Sequence, residues 1–190
     1  MAFDTNNRDQ IYTVLRTWDS DPHWPERATA TLILLGGVAL AFYQVSEFSR
    51  RTTEDIDGMI LRSTLLPDQL LRASEQLGIS FRAGTIAWLP QDWEEHIQWS
   101  SWRFDHLIVG WLDPYDWIIT KLGRWQRHDM TDVIAVVENL DPNVVLNRVR
   151  AALPEYIGNL SNLNLAWNDL VDALAWPPSF KQLTGRSVDS

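Results

Sequence analysis

Leu34-Leu-Gly-Gly-Val-Ala-Leu-Ala-Phe42, followed by Arg51-Thr-Thr-Glu-Asp-Ile-Asp57, is the part of the chain that says most about its fold and chemistry. Residues 31–35 form a short apolar run of the kind that makes a buried strand. Gly36-Gly37 interrupts the run, and residues 38–45 continue with the Ala-rich composition of a helix. A glycine pair between strand and helix reaches backbone geometries closed to other residues and puts no side chain in the way. The free amides of the helix's first turn then face outward, where they suit phosphate oxygens. Residues 55–61 alternate as a strand, so Asp55 and Asp57 project from one face. Carboxylates that close repel each other and are best stabilised by a hard divalent cation between them. Magnesium there would bridge triphosphate oxygens and leave positions for an attacking hydroxyl. Each piece is commonplace alone, since Asp-x-Asp is frequent in solvated turns. Their order and spacing give the combination its weight.

Outward from this stretch, residues 8–18 set Ile11, Val14 and Leu15 at helical spacing, and residues 19–25 are a turn-rich link. After the acidic pair, residues 67–77 read as a helix ending at Gly78. Residues 79–88 and 102–109 read as strands, with Arg103, Asp105, Leu107 and Val109 sharing one face of the second. From Asp113 the pattern turns helical. Asp113-Pro114 and Asp141-Pro142 each set an aspartate N-cap before a proline at the first helical position. Helices are expected over residues 116–127, 130–140 and 144–175, the last with a break near 154–158 and closed by Pro177-Pro178. The expected class is α/β (α+β): a small mixed sheet with helices over residues 1–110, then a helical lobe over 111–176 and a tail over 177–190, all in one domain. No internal repeat is present.

The formal charge of −9 repels phosphate backbones on average and disfavours a nucleic-acid scaffold, although a local basic site can still take a nucleotide or an RNA end. The absence of cysteine excludes disulfides and thiolate metal sites, and four scattered histidines without His-x-x-x-His spacing argue against structural zinc. The eleven tryptophans are read as core and interface packers, with base stacking the alternative for any one of them. Residues 28–46 carry no charge and are nearly long enough to cross a bilayer. Their central glycines and their division into a strand-like and a helix-like half favour a strand–turn–helix instead, so no membrane partner is expected. Residues 1–9 are polar rather than basic then apolar, so no secretory leader is read and cytoplasm is the expected location.

The Gly-Gly turn and the acidic pair together resemble the signature of the nucleotidyltransferase superfamily. They look most like the minimal nucleotidyltransferases of abortive-infection and toxin–antitoxin systems, which carry Gly-Gly-x-Ala-Leu and then Arg-x-Thr-x-Asp-Ile-Asp. Gly36, Gly37, Ala39, Leu40, Arg51, Thr53, Asp55, Ile56 and Asp57 match those motifs. Downstream, Pro114, Asp116, Lys121 and Leu122 fit the family's Pro-x-Asp-x-x-x-x-Lys-Leu helix, and Arg127, Asp129 and Asp132 fit the helix after it. The resemblance implies magnesium (Mg2+) as cofactor, held by Asp55, Asp57 and a third carboxylate, for which Asp105 is the candidate. It implies nucleotide contacts from Gly36, Gly37, Arg51, Thr53 and Lys121. Alternatives stay open for several of these. Asp105 could instead pair with Arg103 or face solvent, and Lys121 could be an exposed helix lysine. Arg51 and Thr53 could steady the turn, with Arg51 also able to reach a phosphate. Asp129 and Asp132 suit caps at a helix start. The implied partners are an NTP, a tRNA end or protein hydroxyl as acceptor, and a cognate antitoxin. Gly58 departs from the apolar residue usual in the family and weakens a strand interior. With the acidic balance, it keeps open a non-catalytic binding or regulatory protein on the same fold.

Overall fold

The computed structural model describes residues 3–4, 7–43, 52–53, 56–66, 68, 70, 74, 81–83 and 88–183. The chain divides into two compact units, one of Met1–Tyr43, Glu47–Ile86 and Glu95–Asp113, the other of Gln44–Ser46, Ala87–Glu94 and Pro114–Ser190.

The first unit is built on a mixed five-stranded sheet in the order β5-β4-β2-β7-β6, comprising β2 (Ala30–Leu34), β4 (Gly58–Ser63), β5 (Phe81–Ala83), β6 (Gln98–Trp99) and β7 (Leu107–Trp111). The central strand β2 is buried along its whole length, which is why this stretch carries no charge. It runs antiparallel to β4, with Leu34 opposite Gly58, and parallel to β7, with Ala30 opposite Leu107 and Leu34 opposite Trp111. A separate two-stranded ribbon pairs β1 (Phe3–Asp4) with β3 (Thr52–Thr53). Helix α1 (Arg8–Asp19) starts where the Asn7 side chain accepts from the backbone N–H of Asp9 and Gln10, and it buries Ile11, Leu15 and Trp18. These pack with Leu32, Leu34, Val38, Phe42, Ile56, Leu107 and Val109 into one core. Fully burying side chains of this size contributes roughly 1.5–3 kcal/mol each.

Strand β7 begins later than the alternation of residues 102–109 predicts. The buried carboxylate of Asp19, at the end of α1, accepts backbone N–H bonds from Asp105 (2.9 Å), His106 (2.7 Å) and Leu107 (3.0 Å). Those donors are turned towards the helix rather than into a ladder, so residues 102–106 form a loop. Trp102 and Phe104 on that loop close over the core against Tyr12, at ring separations of 5.4 and 5.5 Å. Within β7 the alternation holds, with Leu107 and Val109 buried and Ile108 exposed. Of the helix expected over residues 67–77, Asp68, Leu70 and Ser74 are described and are helical.

The second unit contains α2 (Pro114–Leu122), α3 (Arg127–Val137), α4 (Pro142–Ala152) and α5 (Leu160–Ala173). Asp141 caps α4 through the N–H of Asn143, and a 3-10 turn, Leu153–Glu155, makes the break before α5. Trp117, Ile119, Val133, Val149, Trp167 and Leu170 are fully buried in this unit. Of the tail expected to be loose over residues 177–190, residues 178–183 pack, and residues 184–190 lie outside the described residues. Trp167 Nε1 donates to the Phe180 carbonyl at 2.6 Å within a 3-10 turn, Pro178–Lys181, and Leu183 is buried beyond it. An α/β unit on a mixed sheet followed by a helical unit is the class the sequence predicts.

Candidate nucleotide site

The site grows out of the end of β2. The Leu35 N–H donates to the Asp57 carbonyl at 2.9 Å, continuing the β2–β4 register one step past Leu34 and Gly58. The next residue, Gly36, turns the chain at φ +54°, in the left-handed region that favours glycine. A Cβ built on Gly36 would collide with the Asp57 carboxylate, so that carboxylate lies directly over the glycine's α-carbon. Asp57 is exposed, while its neighbour Ile56 is fully buried and fixes the backbone beneath it. Gly58 has a packing reason. A Cβ there would meet Leu32 Cδ1 at 2.5 Å, so the glycine lets β4 begin against the central strand.

Gly37 leads into a 3-10 turn, Val38–Phe42, whose five residues are all buried. The helix expected over residues 38–45 is thus a shorter, tighter element, and Tyr43 after it is extended at φ −90°, ψ 150°. So short a turn lacks the aligned dipoles of a full helix, and the phosphate argument rests on the Gly-Gly bend itself. Phe42 stacks on Trp111 at 4.2 Å, and the Tyr43 hydroxyl donates to the Leu112 carbonyl at 2.9 Å, pinning the turn to the end of β7. Asp55 and Arg51 lie outside the described residues. Thr53 is described only as part of β3, opposite Phe3.

Asp105 is not brought to this end of the sheet. The parallel register sets Leu107 beside Ala30 at the start of β2, whereas Asp57 adjoins Leu34 at its finish. Roughly 15 Å of strand separates the two ends. The Asp105 side chain is 80% exposed, with Arg16 Nη1 at 3.9 Å. Its expected place beside the acidic pair is therefore corrected to the solvent-facing alternative, because β7 runs parallel to β2 and the residues before Leu107 lie at the end of the sheet away from Asp57. Trp111, the last residue of β7, stands beside Leu34 at the Gly36 end, and the first acid after it in the chain is Asp113, two residues on. The sequence pattern marked Asp113 only as a helix cap before Pro114. Knowing that β7 runs on to Trp111 would have shown the second possibility.

In the second unit Lys121 is neither exposed nor solitary. Its ammonium stands 3.0 Å from Asp129 Oδ1 and 3.5 Å from Asp132 Oδ2, and 5.1 Å over the Trp117 ring. Arg124 forks onto Asp129 at 2.8 and 2.7 Å. Burial pushes the Asp129 carboxyl up, but Arg124, Lys121 and the Gln126 N–H outweigh it and hold it below its ordinary value. Asp129 also closes a capping box with Gln126 at the start of α3, the helix-start role its position predicted. Asp116 is likewise an internal partner, gripped by Arg148 at 2.6 and 2.9 Å, and Arg148 reaches on to Asp92 at 2.6 Å. Burial would lower the Arg148 pKa, and the two carboxylates raise it instead.

Among the described residues, no group of three or more His, Asp or Glu side chains stands ready to hold a metal. Asp57 supplies one carboxylate of the hard-oxygen kind that magnesium takes. No helix among the described residues is long and apolar enough to cross a membrane.

A mixed sheet whose buried central strand opens into a glycine turn under an aspartate, followed by a helical unit, defines a small α/β protein. The chain belongs to the family described as "Nucleotidyltransferase of unknown function (DUF6036)", whose model matches residues 21–176. No curated protein and no solved structure matches it.

Proposed function

We propose that the chain is a magnesium-dependent nucleotidyltransferase that moves a nucleoside monophosphate from an NTP to a hydroxyl of RNA or protein. The observation that carries this reading is the Asp57 carboxylate seated on the side-chain-free Gly36 at the end of the central strand. Asp57, with Asp55, would hold the cation, and the bend at Gly36 and Gly37 would let phosphate oxygens approach the backbone. Magnesium, when bound, supplies charge neutralisation on the triphosphate. Arg51 and Thr53 would steady the segment that carries the acids. Asp113 takes the place of Asp105 as the third carboxylate. In the reaction the acceptor oxygen bonds to the α-phosphorus, the bond from that phosphorus to its bridging oxygen breaks, and pyrophosphate leaves. The hydroxyl proton passes to Asp113. Positioning and charge neutralisation supply most of the acceleration. The proposed site is confined to the first unit, and Lys121 belongs to the ion cluster of the second. A cytoplasmic toxin–antitoxin or phage-defence protein with a cognate antitoxin is the setting that the motif resemblance favours.

The test is incubation with each labelled triphosphate, magnesium, total RNA and lysate, following which macromolecule gains label. Asp57→Ala should lower transfer by roughly a hundredfold or more. Asp113→Asn should lower transfer while retaining nucleotide binding, and Asp105→Asn should match the unaltered chain. The competing reading is a binding or regulatory protein on the same fold, and the acidic balance of the chain favours it. It predicts magnesium-dependent binding without transfer. If calorimetry detects no magnesium-dependent triphosphate binding and Asp57→Ala changes nothing, the enzyme reading fails.

A further inference from the structure

The residues that precede the family-matched region touch both segments of the candidate site. Strand β1 pairs with β3, Phe3 opposite Thr53 and Asp4 opposite Thr52, and Thr53 stands four residues before Asp57. Arg8, the first residue of α1, donates from Nε to the Ala41 carbonyl at 2.7 Å, with its guanidinium 5.3 Å from the centre of the Phe42 ring. Ala41 and Phe42 belong to the 3-10 turn that follows Gly36-Gly37. Within six residues, then, the chain holds the segment leading to Asp57 and the turn leading from Gly36. The far side of this connection is fixed, because Ile11, Leu15 and Trp18 of α1 are fully buried. Arg8 is exposed and fills no part of the core, so its link to Ala41 is a tie between elements and not packing.

We propose that β1 and Arg8 form a brace that steadies the Gly36-Gly37 bend and the segment leading to Asp57, with Arg8 as its positioning residue. Its effect on ligand binding rests on the nucleotidyltransferase reading, whereas the mechanical tie does not. The bend is already tied to Asp57 through the Leu35 N–H and to β7 through Phe42 and Tyr43. The brace adds a hold on the far end of the turn and on β3, both of them short elements. The 3-10 turn has five residues and β3 has two.

The experiment compares the full chain with Arg8→Ala, Arg8→Lys, a chain lacking residues 1–6, and Arg27→Ala as an exposed-arginine control. Two quantities are read: amide hydrogen exchange, and the magnesium concentration that half-saturates triphosphate binding. Arg8→Ala should speed exchange at Leu40 and Tyr43, whose amides bond within the turn, and leave α4 and α5 protected as before. The deletion should do the same at Thr52 and Thr53. Each should raise the half-saturating magnesium concentration about fivefold, with Arg8→Lys recovering part of it and Arg27→Ala showing no change. Unchanged exchange in both segments overturns the brace, as does loosening spread evenly over the chain. Faster local exchange with unaltered magnesium dependence overturns its role in setting the site. If the unaltered chain binds no triphosphate, the function reading falls, and the brace stands or falls on the exchange pattern alone.

Discussion

At Gly36 two constraints meet on one α-carbon. The backbone is left-handed there, which costs a residue with a Cβ about 1–2 kcal/mol, and the Asp57 carboxylate occupies the space that Cβ would need. Gly36→Ala is therefore expected to lower stability by about 1–3 kcal/mol in urea unfolding. Removing the obstructing carboxylate as well, in Gly36→Ala with Asp57→Ala, should restore part of that loss. Strictly additive effects would show that the two residues do not press on each other. This meeting was half legible in the sequence. Glycine pairs and aspartates announce themselves by type and spacing, so Gly36, Gly37 and Asp57 could be singled out. That the carboxylate sits on the glycine could not, because it depends on the β2–β4 register. Lys121 was harder still. Its Lys-Leu context marks it as a phosphate candidate, whereas its burial follows from Asp129 and Asp132 arriving from the next helix, which no local pattern shows.

Helix α1 and strand β7 are joined by one side chain. Asp19 accepts three backbone N–H groups at the start of β7 and the Nη1 of Arg16 at 3.1 Å. Asp19→Ala would leave those donors without their acceptor in a buried place. An expected loss of about 2–4 kcal/mol follows, measurable as a drop in thermal midpoint, while Glu26→Ala at an exposed position should cost far less. The same bond set explains why residues 102–106 leave the strand that their alternation predicts. Residues 102–109 alternate as a strand should, but alternation cannot show that a distant carboxylate has claimed the first amides. The helix expected after Gly37 was shortened for a comparable reason. Ala-rich composition favours a helix over many residues, and here Phe42 and Tyr43 are held instead by Trp111 and the Leu112 carbonyl. Elements whose ends are set by their own residues, such as α1 behind Asn7 and α4 behind Asp141, were placed closely.

For the whole molecule, apolar periodicity and the Asp-Pro helix starts predict an α/β half and a helical half. The uncharged stretch that could have suggested a membrane is the buried central strand and the turn after it. The limits of the family match, residues 21 and 176, fall inside the packed structure at both ends. Ile11, Leu15, Trp18 and Asp19 lie before the first limit; Phe180 and Leu183 lie after the second. Three buried apolar side chains from α1 alone represent roughly 5–9 kcal/mol, which is comparable to the whole stability of a typical domain. A fragment cut at residues 21 and 176 is expected to bind hydrophobic dyes and to lose near-ultraviolet circular dichroism, whereas the full chain unfolds cooperatively. An expression plasmid designed on alignment limits would thus yield a protein missing its own floor. Any inactivity measured on such a fragment would report the missing helix and say nothing about the chemistry.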